Sequence, residues 1–326
     1  MPHANKDDTP STEISIQPTL LEDLEARTPE PAEIWYAHSI LTTTLYPAAP
    51  PPPGTDYVSK TNGNLEYLLE AGIDPLTRKR QFPSGKYPRL IMSWIAKQIR
   101  KAGHHKTEYV DPDTHTITIP SIGRLCEQIG VPRGGATMKK VQEQLRLLLS
   151  CRISIRSTGG FVAATVNDVV YLPLIKASRT VDTDNISKSG AAFILTEEVY
   201  ERLGGESAPY DTRAGSYLLS GRSVLPYDVY VWMIGSMYRL RKPMAVTWQW
   251  LRERFGDNFD TEMAFRRAFR NALKKVQVVY PAARFTTSTS GVTLYPSPLA
   301  ITHRQAHEAD WAEQDANSNR TTPTQS

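Results

Sequence analysis

The chain has 326 residues, of which 40% are hydrophobic and 22% charged, and its formal net charge is +4 at pH 7. This length can hold two domains, and the composition is typical of a globular protein with a sizeable core. The sequence contains neither a run of eighteen apolar residues nor a basic start followed by an apolar stretch. We therefore expect a cytoplasmic protein without a secretory signal or a membrane span.

The charge is distributed unevenly along the chain. Residues 1–30 hold two basic and seven acidic residues, and residues 301–326 hold two basic and four acidic residues, which leaves +11 on the body between them. Both ends are polar, so we predict disordered acidic tails at 1–30 and 301–326. The basic body is typical of a protein that binds a polyanion. The alternative is a basic protein with no such partner.

The first half of the body shows a series of predicted elements. A proline-rich segment at 47–53, whose role the sequence does not explain, is followed by an amphipathic helix at 87–103. SIGRLCEQIG, residues 121–130, predicts a short helix capped by Ser121 and ended by glycine. A further helix opens at Thr137, and CRISIRSTGGFVAATV predicts a hairpin that turns at Gly159 and Gly160.

The second half repeats this order. An amphipathic helix is predicted at 225–242, and TWQWLRERFG, residues 247–256, matches SIGRLCEQIG at a constant offset of 126. A helix with Thr261 as its N-cap follows, with Phe265 and Phe269 on its core face, and ARFTTSTSGVTLYP predicts a hairpin that turns at Ser290 and Gly291.

Helix, strand, short helix, turn, helix and hairpin is the order of a winged helix-turn-helix, in which the third helix keeps one face free for a DNA groove. We therefore predict an α+β, mainly helical fold with two tandem winged helix-turn-helix domains whose wings are β-hairpins. The first domain, at 31–185, includes the proline-rich extension, and the second, at 186–300, is the C-terminal DNA-binding domain. A repeated helical scaffold without DNA binding is the alternative.

Several separate segments resemble a known family. YPRLIMSWIAKQIRKAG, QLRLLLS and LYPSP are similar to segments of plasmid-encoded RepA replication initiators, and YDVYVWMIGSMYRLRKP and FRRAFRNALKKVQVVYP are similar to their C-terminal half. The resemblance covers about residues 31 to 300 in order. It departs from the family pattern in the N-terminal extension that contains the proline-rich segment.

The resemblance implies an origin-binding initiator that recognises repeated DNA sequences, helps open an adjacent A·T-rich segment and recruits host replication proteins. The partners it implies are double-stranded origin DNA, the host helicase, host initiator proteins and a second copy of the chain as a dimer. A transcriptional regulator with the same two winged helices is the alternative. Direct repeats beside an A·T-rich stretch near the gene favour the initiator, and a single inverted repeat favours the regulator.

Candidate DNA contacts follow from the outward faces of the two third helices. In the second unit this face carries Arg267, Arg270, Asn271 and Lys274, where Arg suits guanine and Asn suits adenine, so we predict the base-reading helix here. The first unit has a mixed outward set, including Lys139, Glu143 and Arg146, which suits phosphate or protein contacts. The other predicted contacts are basic neighbours of these helices: Arg266, Lys275 and Arg284 in the second unit, and Arg133 and Lys140 in the first.

Signals for catalysis are weak, and we expect neither an enzyme nor a cofactor. The sequence contains no GxxxxGK[ST] or GxSxG motif. His104 and His105 are adjacent, unlike the His-hydrophobe-His pair of a rolling-circle nuclease, and we expect no metal site at His303 and His307. Cys126 and Cys151 are predicted to be small buried hydrophobic residues.

Overall fold

The computed structural model of the chain describes residues 16–157, 175–179 and 190–318. Helices and short antiparallel strands alternate in these segments, which confirms the prediction of a mixed α+β fold. The elements up to the first long gap are α1 (Ile16–Ala26), β1 (Ile34–Ala37), β2 (Tyr57–Asn62), β3 (Leu65–Glu70), β4 (Gly72–Ile73), β5 (Arg80–Gln81), α2 (Lys86–Ala102), β6 (Val110–Asp111), β7 (Thr116–Ile119), α3 (Ile122–Gln128), α4 (Gly135–Ser150) and β8 (Arg152–Ser157).

The second part of the chain continues the alternation of helices and strands. Its elements are β9 (Ile175–Arg179), β10 (Ala191–Leu195), α5 (Glu197–Gly205), β11 (Ala208–Asp211), α6 (Thr212–Leu219), α7 (Leu225–Met237), β12 (Met244–Thr247), α8 (Trp248–Phe255), α9 (Glu262–Val279), β13 (Phe285–Thr287), β14 (Gly291–Leu294) and α10 (His303–Ser318). A short 3-10 turn precedes β1, and a π-helical turn at Ile40–Thr44 follows it.

The predicted repeat is present in the helices. The Ser121 hydroxyl accepts from the Arg124 N–H at 3.1 Å, and the Thr247 hydroxyl accepts from the Trp250 N–H at 3.1 Å, so α3 and α8 are capped alike. Thr261 caps α9 in the same way. The prediction that a helix opens at Thr137 is wrong by two residues, because α4 begins at Gly135.

The two hairpins differ from each other in chain position. The second lies where predicted, since β13 and β14 pair antiparallel beside β12 in the order β12-β14-β13. The predicted turn of the first, at Gly159 and Gly160, lies outside the described residues. The strand that begins this segment, β8, pairs with β3. Strands β9 and β10 belong to a four-stranded sheet in the order β6-β7-β10-β9, of which β7-β10-β9 corresponds to β12-β14-β13 in the second unit.

A glycine in each unit lets the backbone pass close to the residues just before α3 and α8. A Cβ atom at Gly291 would lie 1.9 Å from the Val246 carbonyl oxygen, and one at Gly190 would lie 2.0 Å from the Ile119 carbonyl oxygen. Gly190 also has φ +73°, a conformation that disfavours other residues. Both strand pairs therefore require glycine at this point.

A continuous hydrophobic core joins the two halves. Trp94, Trp232 and Trp248 are buried in it, as their positions on apolar helix faces predict. The prediction of an amphipathic helix at 225–242 is wrong. The helix α7 ends at Met237 and is buried nearly all around, because α6, α9, β11 and the π-helical turn surround it.

The prediction of disordered tails is wrong for the parts that the structure describes. Helix α1 packs on α6, and Arg213 donates to the backbone oxygens of Asp23 at 2.9 Å and of Arg27 at 3.2 Å. Ile301 and two alanines of α10 are buried against Ile34 and Tyr36. Tertiary contacts therefore order polar segments whose own sequence predicts no structure. Residues 1–15 and 319–326 lie outside the described part.

Two smaller findings concern the cysteines and the membrane. Cys126 and Cys151 are buried and free, as predicted, and burial raises the pKa of the Cys151 thiol to about 12. In the described segments, no helix combines the length and the apolar composition needed to cross a membrane.

Candidate nucleic-acid interface

Helix α9 separates an apolar face from a basic one. Its buried residues recur at helical spacing and face α7 and α8: Phe265, Phe269, Ala272, Leu273 and Val276. The opposite face exposes Arg267, Arg270, Asn271 and Lys274 together with Lys275. The predicted orientation of these side chains is confirmed, and their contact with DNA stays a prediction.

The cations on this face differ in how far they are already paired. Arg266 is half-buried and its Nη2 lies 2.5 Å from the Glu262 carboxylate one turn earlier. In the part of the chain that the structure describes, Arg267, Arg270, Lys274 and Lys275 form no ion pair. These four side chains are therefore the ones whose positive charge is available to an anionic ligand.

Trp248 connects this face to the second hairpin. The guanidinium carbons of Arg270 and Arg266 lie 5.0 Å and 5.5 Å from the centre of the Trp248 ring, within cation–π distance. Its indole N–H donates to the Ser288 carbonyl oxygen at 3.1 Å, at the turn between β13 and β14. Trp248 thus orients a candidate DNA contact and fixes the hairpin beside it.

Trp248 is also part of the core, because its ring is in edge-on contact with Phe265 and Phe269 and is 1% exposed. No local spacing in the sequence signals its contacts with the two arginines and with the hairpin.

The second hairpin offers small polar groups beside a basic residue. Thr286, Thr287, Thr289 and Ser290 are exposed, and Arg284 is exposed at the start of the hairpin. The Ser288 hydroxyl lies 3.2 Å from the N–H groups of Ser290 and Gly291, both of which donate to it, so the turn is ordered. Hydroxyl groups, backbone N–H groups and arginine are common donors to DNA phosphates.

The first unit presents a smaller basic surface. Lys139 and Lys140 are exposed on α4, as predicted. Arg133 is exposed before this helix, and its Nη1 lies 2.5 Å from the Glu127 carboxylate, so its charge is already paired.

The prediction that Arg146 points outward is wrong. Its side chain is buried, and its Nε and Nη2 donate to the Asp74 carboxylate at 2.6 Å and 3.1 Å. The hairpin formed by β4 and β5 covers this end of α4, which helix periodicity cannot indicate. Arg146 therefore holds two elements together and is not available to DNA.

The histidines considered as metal ligands have other contacts. The His105 Nε2 lies 2.6 Å from the Asp310 carbonyl oxygen, and the His303 ring packs on Tyr238. Across residues 16–157, 175–179 and 190–318, no three His, Cys, Asp or Glu side chains are grouped in a way that could hold a metal ion.

Comparison with known proteins places the chain in a family. No curated protein matches the sequence. A crystal structure of selenomethionine derivatives of domain 2 and domain 3 of RctB has a TM-score of 0.46 at 10% identity, over 80% of this chain and 99% of that chain. A crystal structure of RctB domains 2-3 has a TM-score of 0.42 at 10% identity, over 79% of this chain and 95% of that chain.

The family match covers more than half of the sequence. Residues 82–250, which run from the segment before α2 into α8, match the model of the plasmid encoded RepA protein. The match stops before α9, so the basic face of that helix is known from this chain's own geometry. The chain belongs to the family of plasmid-encoded RepA proteins.

Proposed function

We propose that this protein is a plasmid replication initiator that binds repeated duplex sequences of its origin, with α9 as the base-reading helix. Membership in the plasmid-encoded RepA family supports the initiator role. The observation that carries the DNA assignment is the unpaired basic face of α9, whose opposite face is fully packed into the core.

The order of elements around α9 supports a winged helix-turn-helix. Strand β12 leads into α8, a short turn leads into α9, and the hairpin of β13 and β14 returns to pair with β12. In this arrangement the second helix of the pair enters the major groove and the hairpin lies against the backbone. Helix α9 has 18 residues, about 27 Å of helix, and its basic face can lie in the groove while its apolar face stays in the core.

The chemistry of the exposed face suits base reading. Arginine can donate twice to guanine, and asparagine can pair with adenine, so Arg267, Arg270 and Asn271 offer sequence discrimination. The remaining basic residues of this face, Lys274 and Lys275, attract the DNA phosphate backbone whatever the base sequence. The first unit, through Lys139 and Lys140, then contributes phosphate contacts.

Origin opening, in this proposal, uses binding energy and host enzymes. In this proposal the chain catalyses no reaction of its own, and its sequence contains no phosphate-binding loop of the ATPase type. DNA that is bent or underwound by a protein is easier to open at A·T-rich steps. A second copy of the chain, the host helicase and host initiator proteins are the proposed partners.

Replacing Arg270 with alanine tests the base-reading assignment. We expect a loss of about 1–3 kcal/mol on the specific repeat and a relaxed preference at one base position. The matched control is Lys275→Ala, which should weaken specific and random duplexes alike and lower the salt slope by about one unit. Titrations of both DNAs at several salt concentrations measure these effects.

Equal losses on both DNAs in Arg270→Ala would mean that α9 only clamps phosphates. A footprint on the DNA beside the gene completes the test of the initiator role. Protection of several direct repeats next to an A·T-rich stretch supports it. Protection of one inverted repeat alone would instead support a transcriptional regulator.

A further inference from the structure

The hairpin formed by β4 and β5 carries a basic cluster that lies outside the predicted DNA contacts. Its residues, GIDPLTRKRQ, include three consecutive basic side chains, Arg78, Lys79 and Arg80, and all three are exposed. The only acidic residue of this hairpin, Asp74, is 0% exposed. The exposed charges of the hairpin are therefore all positive, beside the exposed apolar side chains of Ile73 and Leu76.

The tip of this hairpin is held in one conformation. The Asp74 carboxylate accepts from the Leu76 N–H at 3.1 Å and from the Thr77 hydroxyl at 2.9 Å. The Arg78 N–H donates to the Asp74 carbonyl oxygen at 2.8 Å, and Arg78 has φ +57°, which non-glycine residues rarely adopt. These hydrogen bonds fix a backbone that would otherwise be unfavourable.

The hairpin is also anchored on α4. The Arg146 guanidinium donates twice to the Asp74 carboxylate, and this pairing holds the pKa of Asp74 at about 2. On the other side of the hairpin, a Cβ atom at Gly72 would lie 2.0 Å from the Ser150 carbonyl oxygen at the end of α4. The hairpin and the helix are thus packed in direct contact.

The anchor determines which face of α4 the hairpin extends. Lys139 and Arg146 are seven residues apart, a rotation of about 700°, so both point to the same side of the helix within about 20°. Arg146 points at Asp74, and therefore the hairpin lies on the same side as Lys139. Exposed Glu143 lies between them and is the acidic residue of this face.

The hairpin is anchored on α4 at a distance from Lys139 comparable to the width of a DNA groove. Eleven residues of α4 separate Lys139 from Ser150, the residue against which Gly72 packs, which is about 16 Å of helix. The major groove of B-DNA is about 12 Å wide and is bordered by a phosphate backbone on each side. Lys139 and an element anchored at Ser150 are therefore far enough apart to face the two borders of one groove.

We propose that the β4–β5 hairpin is a second DNA-binding element, in which Arg78 and Lys79 bind phosphates of duplex DNA while Lys139 and Lys140 bind the backbone across the same groove. This inference rests on the proposed function. Arg80 has a partly structural role, since its Nη1 donates to the Ala71 carbonyl oxygen at 3.0 Å.

The double variant Arg78→Ala with Lys79→Ala tests the element and leaves the Asp74 anchor in place. Each lost phosphate contact should reduce the slope of log affinity against log salt concentration by about 0.9. This corresponds to a roughly eightfold loss of affinity at 0.1 M salt. We expect the same factor on the origin repeat and on a random duplex, because phosphates carry no sequence information. The control, Lys106→Ala with Arg304→Ala, removes the same charge from two exposed positions elsewhere and should leave the slope unchanged.

A second variant separates position from charge. The double variant Asp74→Asn with Arg146→Met leaves the net charge and the basic residues 78–80 of the hairpin unchanged. It removes the ion pair that anchors the hairpin on α4. If it remains folded in a thermal melt, we expect weaker binding to both DNAs. If it unfolds, the Arg78 and Lys79 variant alone decides the test.

Two results would overturn the inference. An unchanged salt slope in Arg78→Ala with Lys79→Ala means that the hairpin does not contact DNA. A change in base preference without a change in slope means that it does not act on phosphates. If the unaltered protein binds duplex DNA and Arg270→Ala behaves as expected, either result refutes the role of the hairpin and leaves the proposed function in place. If the unaltered protein does not bind duplex DNA, the proposed function is refuted as well.

Discussion

At the scale of single residues, Trp248 links stability to the geometry of the candidate interface. Its ring packs against Phe265 and Phe269 in the core, and Arg266 and Arg270 lie at cation–π distance from the ring centre. Its indole N–H reaches the turn of the second hairpin. Because the ring cannot move without opening the core, Arg270 and the hairpin are held in a fixed relation.

Trp248→Phe is expected to reduce DNA specificity as well as stability. Phenylalanine retains aromatic packing but removes the hydrogen bond to Ser288 and weakens the cation–π contact, each worth about 1 kcal/mol. The free energy of unfolding and the affinities for specific and random duplexes should be measured together. We expect the specific duplex to lose more affinity than the random one.

Trp94→Phe is the matched control for this variant. Trp94 is also 1% exposed and its indole N–H is 3.4 Å from the Gln128 side-chain oxygen, but it lies in the first half of the chain. The variant Trp94→Phe should lower the free energy of unfolding by a similar amount and leave the ratio of the affinities for specific and random duplexes unchanged. The same ratio change in both variants would show that loss of stability alone explains the effect.

At the scale of elements, α10 is a structural part of the body. The Tyr36 hydroxyl donates to the Asp310 carboxylate at 2.7 Å, and Arg100 Nε donates to the same carboxylate at 3.1 Å. Burial, together with Asp310, raises the pKa of the Tyr36 hydroxyl, which donates in this contact. Ile301 is buried beside it. Asp310 of this acidic segment thus serves an internal contact.

Removing residues 301–326 is expected to lower the melting temperature by several degrees. Loss of the buried contacts of Ile301 lowers the free energy of unfolding by about 2 kcal/mol, and loss of the hydrogen bond from the Tyr36 hydroxyl lowers it by about 1 kcal/mol more. Thermal unfolding followed by circular dichroism measures the change. The control is Arg304→Ala, since Arg304 is 87% exposed and its loss should have little effect. An unchanged melting temperature in the truncated chain would restore the prediction of a detached tail.

At the scale of the whole molecule, polar contacts join the two halves inside one core. Arg89 of α2 donates to both oxygens of Asp228 in α7, at 2.8 Å and 2.7 Å, and both side chains are buried. Lys60 reaches Asp257 at 2.6 Å, and Arg254 donates to Ser39. The domain boundary predicted near residue 185 therefore does not divide the core.

Arg89→Met should destabilise the whole chain by about 3–5 kcal/mol, because it leaves Asp228 buried without a counter-charge. Urea unfolding followed by tryptophan fluorescence measures this, since both halves contain buried tryptophans. Arg89→Met combined with Asp228→Leu should recover part of the loss, because neither partner of this pair then remains as a buried charge without the other. We expect a single transition in each case. Two separated transitions would show that the halves unfold independently, as the predicted domains imply.

The sequence by itself determined what depends on local pattern. Apolar spacing and the caps Ser121, Thr247 and Thr261 define α3, α8 and α9, and the same spacing identifies the exposed basic face of α9. These features were predictable because a helix face and a cap involve residues within a few positions of one another. The repeat at an offset of 126 and the family resemblance rest on the same local information.

Only the tertiary structure decided what depends on distant partners. The burial of Arg146 requires Asp74, 72 residues earlier, and the order of α10 requires Tyr36, about 270 residues earlier. The pairing of β8 with β3 is equally non-local. A charged residue on a helix has the same periodicity whether it meets solvent or a buried counter-charge. Its role is therefore set by the element that packs over it, which local sequence does not encode.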